Sequence, residues 1–294
     1  MADIILETKD LTKHYGQVTA LDSFSVGIEE NKIYGLLGRN GAGKTTFLNI
    51  IASHIFADKG EVRMFGQDVV ENQELLPKIC YLPEKNLFIA KMRVSEILKT
   101  AGLFYESFDM DYAQRLCEKF TLDKRKKYKE LSRGYESILR IVIGLASRAP
   151  LTMFDEPVLG LDAAVRDIFY RELLDDYIKN PRTYIISTHL IEESAEVFEV
   201  ALIIKDGVLT QNLPVDELKE TARYVSGKVS VIDEAVADLK VLHSEIIGNI
   251  KICAVYDTSM EEKLKGLTAY DVDISPVPMQ KLFIYLTESQ EVRL

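Results

Sequence analysis

The sequence predicts an α/β fold with a smaller α+β extension at its C-terminal end, and three observations point there. An apolar run, Ile33-Tyr34-Gly35-Leu36-Leu37, leads through a glycine-rich loop into the helix-like stretch Thr46-Phe47-Leu48-Asn49-Ile50-Ile51. A second apolar run, Leu151-Thr152-Met153-Phe154, stops at Asp155-Glu156. Beyond about residue 222 the pattern changes to short alternating segments, Val225–Val231, Lys251–Tyr256 and Asp271–Ile274, before a last amphipathic stretch from Met279 to Thr287.

Residues 3–83 carry strands and the first helix. The loop between them reads Gly38-Arg39-Asn40-Gly41-Ala42-Gly43-Lys44-Thr45, a complete P-loop in the strand–loop–helix context that it requires. Its glycines let successive N–H groups face a phosphate, and the helix N-terminus adds positive potential. Lys44 is expected to reach the β- and γ-phosphates and the Thr45 hydroxyl to ligate Mg²⁺. A nucleotide site also needs a carboxylate for the metal. Asp155 stands at a strand's carboxyl end, where open α/β sheets bind ligands, and Glu156 follows as a candidate base for the attacking water.

Residues 84–150 read as mostly helical. One helix opens at Arg93–Leu98, another runs from Tyr112 to Phe120, and a third follows Leu131-Ser132-Arg133-Gly134-Tyr135. Residues 151–213 return to alternation: strand 151–155, helix 163–179, strand 183–187, helix 190–196, strand 200–204, and a hairpin turn at Asp206-Gly207. No catalytic set is visible after residue 222, so capping the core or dimerising is the expected role there.

In these motifs, over about residues 3–220, the chain resembles the ATP-binding cassette family, the nucleotide-binding subunits of ABC transporters. The resemblance implies a RecA-like P-loop NTPase core with an N-terminal antiparallel β-subdomain and an inserted helical subdomain at about 84–150. The nucleotide-binding domain would be 1–220 and the extension 221–294. Tyr15 takes the place of the aromatic that stacks on adenine, and Asn40, Gly41, Ala42, Gly43, Lys44, Thr45 and Thr46 form the Walker A loop. Asp155 and Glu156 end the Walker B strand, Leu159-Gly160-Leu161-Asp162 looks like the D-loop, and His189 like the switch histidine.

The chain departs from the family pattern twice. The signature reads Leu-Ser-Arg-Gly-Tyr, keeping Ser132 and Gly134, which the resemblance directs at the γ-phosphate of a partner's ATP. Tyr81-Leu82-Pro83-Glu84 lies at the Q-loop with Glu84 in place of glutamine, within reach of metal or water.

The resemblance further implies ATP with Mg²⁺, a homo- or heterodimer with a second nucleotide-binding subunit, and a separate transmembrane permease subunit. Leu87, Phe88, Ile89 and Met92 are candidates to line a groove for a helix of that permease. An exporter is the expected system; a soluble ABC-type ATPase not coupled to transport is the alternative.

Composition agrees. The chain has 294 residues, 47% hydrophobic and 28% charged, and a net charge of −10 that speaks against nucleic-acid binding. The basic run Lys124–Lys127 reads as a solvated loop. Cys80, Cys117 and Cys253 lack metal spacing; the first two read as small core residues. No leader is expected. The longest apolar stretch, Ile138–Ala149, is broken by Arg140 and Arg148, so no membrane span is expected. The place implied is cytoplasmic, on the inner face of the membrane through the permease.

Overall fold

A computed structural model describes residues 3–85, 88–267 and 270–288. Its strands form three sheets. The first is antiparallel, in the order Val18–Glu29, Ile4–Tyr15, Lys59–Met64, Gln67–Asp68. The second has six strands, in the order Val208–Pro214, Val200–Lys205, Ile33–Gly38, Thr183–Thr188, Leu151–Asp155, Ile79–Leu82. The last four of these pair in parallel and are buried along their whole length. Burial of both faces of a parallel sheet is why they read as continuous apolar runs rather than alternations.

This parallel sheet positions the site. Strands Ile33–Gly38, Leu151–Asp155 and Thr183–Thr188 are neighbours, so their carboxyl ends bring the P-loop, Asp155 and the segment before His189 together. An N-terminal antiparallel sheet and a P-loop NTPase core are as expected.

Three helices, Val94–Phe104, Met110–Lys119 and Arg133–Ala146, fill the stretch read as helical. Asp109 caps the second by accepting from Tyr112 N at 2.8 Å, and Ser132 caps the third by accepting from Tyr135 N at 3.4 Å. Asp162 caps Ala163–Lys179, accepting from Val165 N at 2.9 Å. The apolar run from Ile138 is the buried face of the third helix, and no helix of the described residues is long and apolar enough to cross a membrane.

The chain separates into two compact units, Met1–His189 with Leu202–Asn212, and Leu190–Ala201 with Leu213–Leu294. Within the second, an antiparallel sheet runs Lys240–Ile247, Ile250–Tyr256, Ala222–Lys228, Asp273–Pro276. The alternation over Val225–Val231 overran its strand. Lys228 ends the strand, and Val229–Ala235 forms a helix that buries Ile232 against Val225, Cys253 and Val255. Periodicity also missed the strand Lys240–Ile247, because a register shift between Val241 and His243 interrupts the alternation. All three cysteines are buried and free.

Candidate functional site

The P-loop strand ends at Gly38, and the helix Lys44–Ile51 begins after Gly43. Gly43 has φ +109°, and a Cβ there would meet the Ala20 carbonyl oxygen at 2.4 Å. Only glycine fits that approach. No side chain caps this helix, which leaves its first N–H groups directed along the loop.

A cavity of about 320 Å³ opens there, lined by Tyr15, Asn40–Thr46, Glu84, Asp155 and Glu156. Residues far apart in sequence thus share one wall, and every expected Walker A residue from Asn40 to Thr46 is on it. Tyr15 is half exposed, and Lys13 Nζ lies over its ring, 5.8 Å from the centroid. Lys44 is 6% exposed; its Nζ donates to Gly38 O at 2.7 Å and to Arg39 O at 3.3 Å, and stands 3.8 Å from Glu156 Oε1. Burial pushes its ammonium down from the ordinary lysine value, while Glu156 and Asp155 pull the other way.

Asp155 is fully buried and accepts from Thr45 Oγ1 at 2.8 Å and from the Ser187 hydroxyl. This oxygen-only donor set, one hydroxyl with one carboxylate, suits Mg²⁺, which takes one or two carboxylates and fills its remaining positions with phosphate oxygens and water. No cluster of three or more His, Cys, Asp or Glu able to hold a metal by itself occurs among the described residues.

Glu156 is buried, with φ +48°. Its N–H donates to Ser187 O at 3.1 Å and Ser187 Oγ at 3.2 Å, which holds this unfavourable backbone. Its Oε2 is 2.9 Å from His189 Nδ1. An ionised carboxylate only accepts, so that nitrogen carries the proton in this contact.

Ser132 and Gly134 do not line the cavity. They open the helix Arg133–Ala146, and Gly134 packs so closely that a Cβ there would lie 3.0 Å from Gly160 O.

Sequence reading missed Ser187, which supports both Asp155 and Glu156 from the neighbouring strand; only its place two residues before His189 hinted at it. It also missed Tyr81, whose buried hydroxyl lies near Asp155 without a well-formed hydrogen bond. Burial first, and then Asp155, holds that phenol well above its ordinary value.

A phosphate-binding loop at a parallel strand's end, a hydroxyl–carboxylate pair beside it and a buried glutamate next in line define a P-loop nucleotide hydrolase. Residues 21–159 match the ABC transporter family model. The ABC transporter ATP-binding protein YtrB of Bacillus subtilis (strain 168) is 32% identical over 216 residues, 74% of each chain. The bacitracin transport ATP-binding protein BcrA of Enterococcus faecalis is 30% identical over 235 residues, 78% of this chain and 75% of that one. Among solved structures, an ATP-binding subunit of an ABC transporter superposes with a TM-score of 0.66 at 24% identity, over 73% of this chain and 92% of that one. A dimeric cassette bound to ADP and Pi superposes with a TM-score of 0.63 at 21% identity, over 71% and 98%. The chain belongs to the ATP-binding subunits of ABC transporters, and it is an ATPase of that family.

Proposed function

We propose that this ATPase closes as a dimer around ATP and drives a separate permease, with export as its direction. Residues 1–220 supply the nucleotide-binding domain, with its helical part at about 84–150, and 221–294 an extension that caps or dimerises. The adenine stacks on Tyr15; the loop Asn40–Thr46 holds the phosphates, with Lys44 leaving its carbonyl contacts for the β- and γ-oxygens. Thr45 and Asp155, with Glu84 in the same cavity lining, would hold Mg²⁺, whose charge offsets that of the phosphates. Glu156 takes the proton of the attacking water, and His189, its Nδ1–H released from Glu156, donates to the γ-phosphate. Catalysis is then chiefly positioning and charge stabilisation.

The observation that carries this reading is the single cavity lined by Tyr15, the P-loop, Glu84, Asp155 and Glu156, with His189 on Glu156. Ser132 and Gly134 lie outside it, which supports their use by a second subunit, either a copy or a related chain. For the permease, a groove of about 270 Å³ is lined by Tyr81, Phe88, Ile89, Met92 and Phe104. Ile89 and Phe104 are well exposed, and their chemistry suits the apolar face of a partner helix. Leu87, expected beside them, lies outside the described residues. Docking there would hold the chain at the inner face of the membrane. The bacitracin transport ATP-binding protein BcrA supports a transport-coupled role for this kind of chain. Co-purification with a membrane protein tests the partner; Mg²⁺-dependent ATP hydrolysis, lost in Glu156→Gln, tests the site.

A further inference from the structure

In the sequence Arg140 is only the charge that breaks an apolar run. In the fold it is 7% exposed within the helix Arg133–Ala146. Among the described residues no carboxylate lies within ion-pair distance of it, and burial pushes its guanidinium below the ordinary value against the pull of Tyr128, Glu84, Glu136 and Asp155. Burying a guanidinium without a paired carboxylate is costly, so its hydrogen bonds must hold something in place.

Those bonds make one chain. Arg140 Nη1 donates to Pro83 O at 2.7 Å, and Pro83 directly precedes Glu84. Nη2 donates to Ser137 Oγ at 2.8 Å. Ser137 Oγ in turn donates to Leu159 O at 2.9 Å, and Leu159 N donates to Glu156 O at 3.3 Å. The loop after Glu156 meets the same helix a second time at Gly134, whose missing Cβ lets Gly160 O approach.

We propose that Arg140 is a positioning residue for ATP hydrolysis, bridging the loop that carries Glu84 to the loop that follows Glu156. This rests on the reading of Glu84 and Glu156 as site residues. The planar fork of arginine reaches a backbone carbonyl and a hydroxyl at once; a lysine ammonium keeps the charge and loses the fork. Ser137 is the relay, accepting from Arg140 while donating to Leu159. The bridge touches neither the P-loop nor Tyr15, so it governs turnover and leaves nucleotide capture alone. It also balances Glu84, since a cation beside that loop opposes the added negative charge.

The test uses the purified full chain carrying Arg140→Lys, Arg140→Met, Ser137→Ala, or Arg140→Lys with Ser137→Ala. Steady-state ATP hydrolysis gives kcat and KM, a fluorescent ATP analogue gives Kd, and thermal unfolding gives Tm. Arg140→Lys is expected to lower kcat about 10- to 100-fold, the scale of a small misplacement of catalytic groups, with Kd and Tm near wild type. Ser137→Ala moves the same way, and the double variant falls no further than the worse single one, as members of one network do. Wild-type turnover in Arg140→Lys, additive losses, or losses that track a falling Tm would overturn the bridge. Should Arg140→Met fail to fold, the lysine and serine variants decide. Normal hydrolysis by Glu156→Gln would instead overturn the reading of the site itself.

Discussion

Nδ1 of His189 lies 2.9 Å from Oε2 of Glu156, and the other oxygen of that carboxylate lies 3.8 Å from Nζ of Lys44. One buried carboxylate thus stands between the P-loop lysine and the histidine after the neighbouring strand. Glutamate at 156 is held there by Ser187 from the adjacent strand, against a left-handed backbone.

Glu156→Gln should keep ATP binding and lose hydrolysis by about 10²-fold or more, the usual scale for a general base. It should also accumulate an ATP-bound dimer by size-exclusion chromatography. Lys44→Ala should instead weaken nucleotide binding, because it removes the only ammonium among the described residues that line the cavity. A fluorescent-nucleotide titration separates the two variants.

Gly134→Asp places a carboxylate where Ser132 and Gly134 would meet a partner's triphosphate, a like-charge clash. ATP binding by the monomer should survive while ATP-dependent dimerisation fails. The same position abuts Gly160 O, so circular dichroism must first show that the variant folds. Equal loss of binding and dimerisation would mean that the motif serves its own subunit's site.

Asp58 ties down the strand that leads to Tyr15: its carboxylate accepts from Lys13 Nζ at 2.9 Å and from His14 N at 2.6 Å. The Lys13 hydrogen bond, followed by the His14 backbone, lowers its pKa from 3.8 to about 2. A depressed carboxylate contributes stability above its unfolded value, and that contribution disappears as pH falls through the folded one. Asp58→Asn should therefore melt below wild type at pH 6, and the two Tm values should converge between pH 4 and pH 2. A constant gap across that range would remove the linkage.

Truncation after residue 220 removes the antiparallel sheet Lys240–Ile247 through Asp273–Pro276 and the helix Met279–Thr287, none of which lines the cavity. Nucleotide affinity of the truncated, folded chain should match that of the full chain. Tm should fall, because the core around Val225, Cys253 and Val255 is lost and apolar surface is left bare. Complete loss of ATP binding would place part of the site in the extension.

The chemistry that needs residues close in sequence was readable without coordinates. Gly43, Lys44 and Thr45 act through one turn of backbone, so their spacing alone carries the loop, and Asp155-Glu156 follows from where a buried strand must end. The parallel strands were readable because burial on both faces writes a continuous apolar run. Where local pattern and tertiary packing disagree, the sequence misled: the alternation read over Val225–Val231 runs into Val229–Ala235, which coils to bury Ile232.

Sequence by itself determined the class of this protein and the glycine-rich loop from Gly38 to Thr45, since that loop depends on short-range geometry. Only the tertiary structure decided which distant residues share a wall with them. Strand order brings Ser187 under Asp155 and Glu156, and helix packing turns Arg140 from a break in an apolar run into a bridge between Pro83 and Ser137. The reason is physical. A side chain's partners across a sheet or beneath a helix are set by long-range packing, which leaves no fixed spacing along the chain.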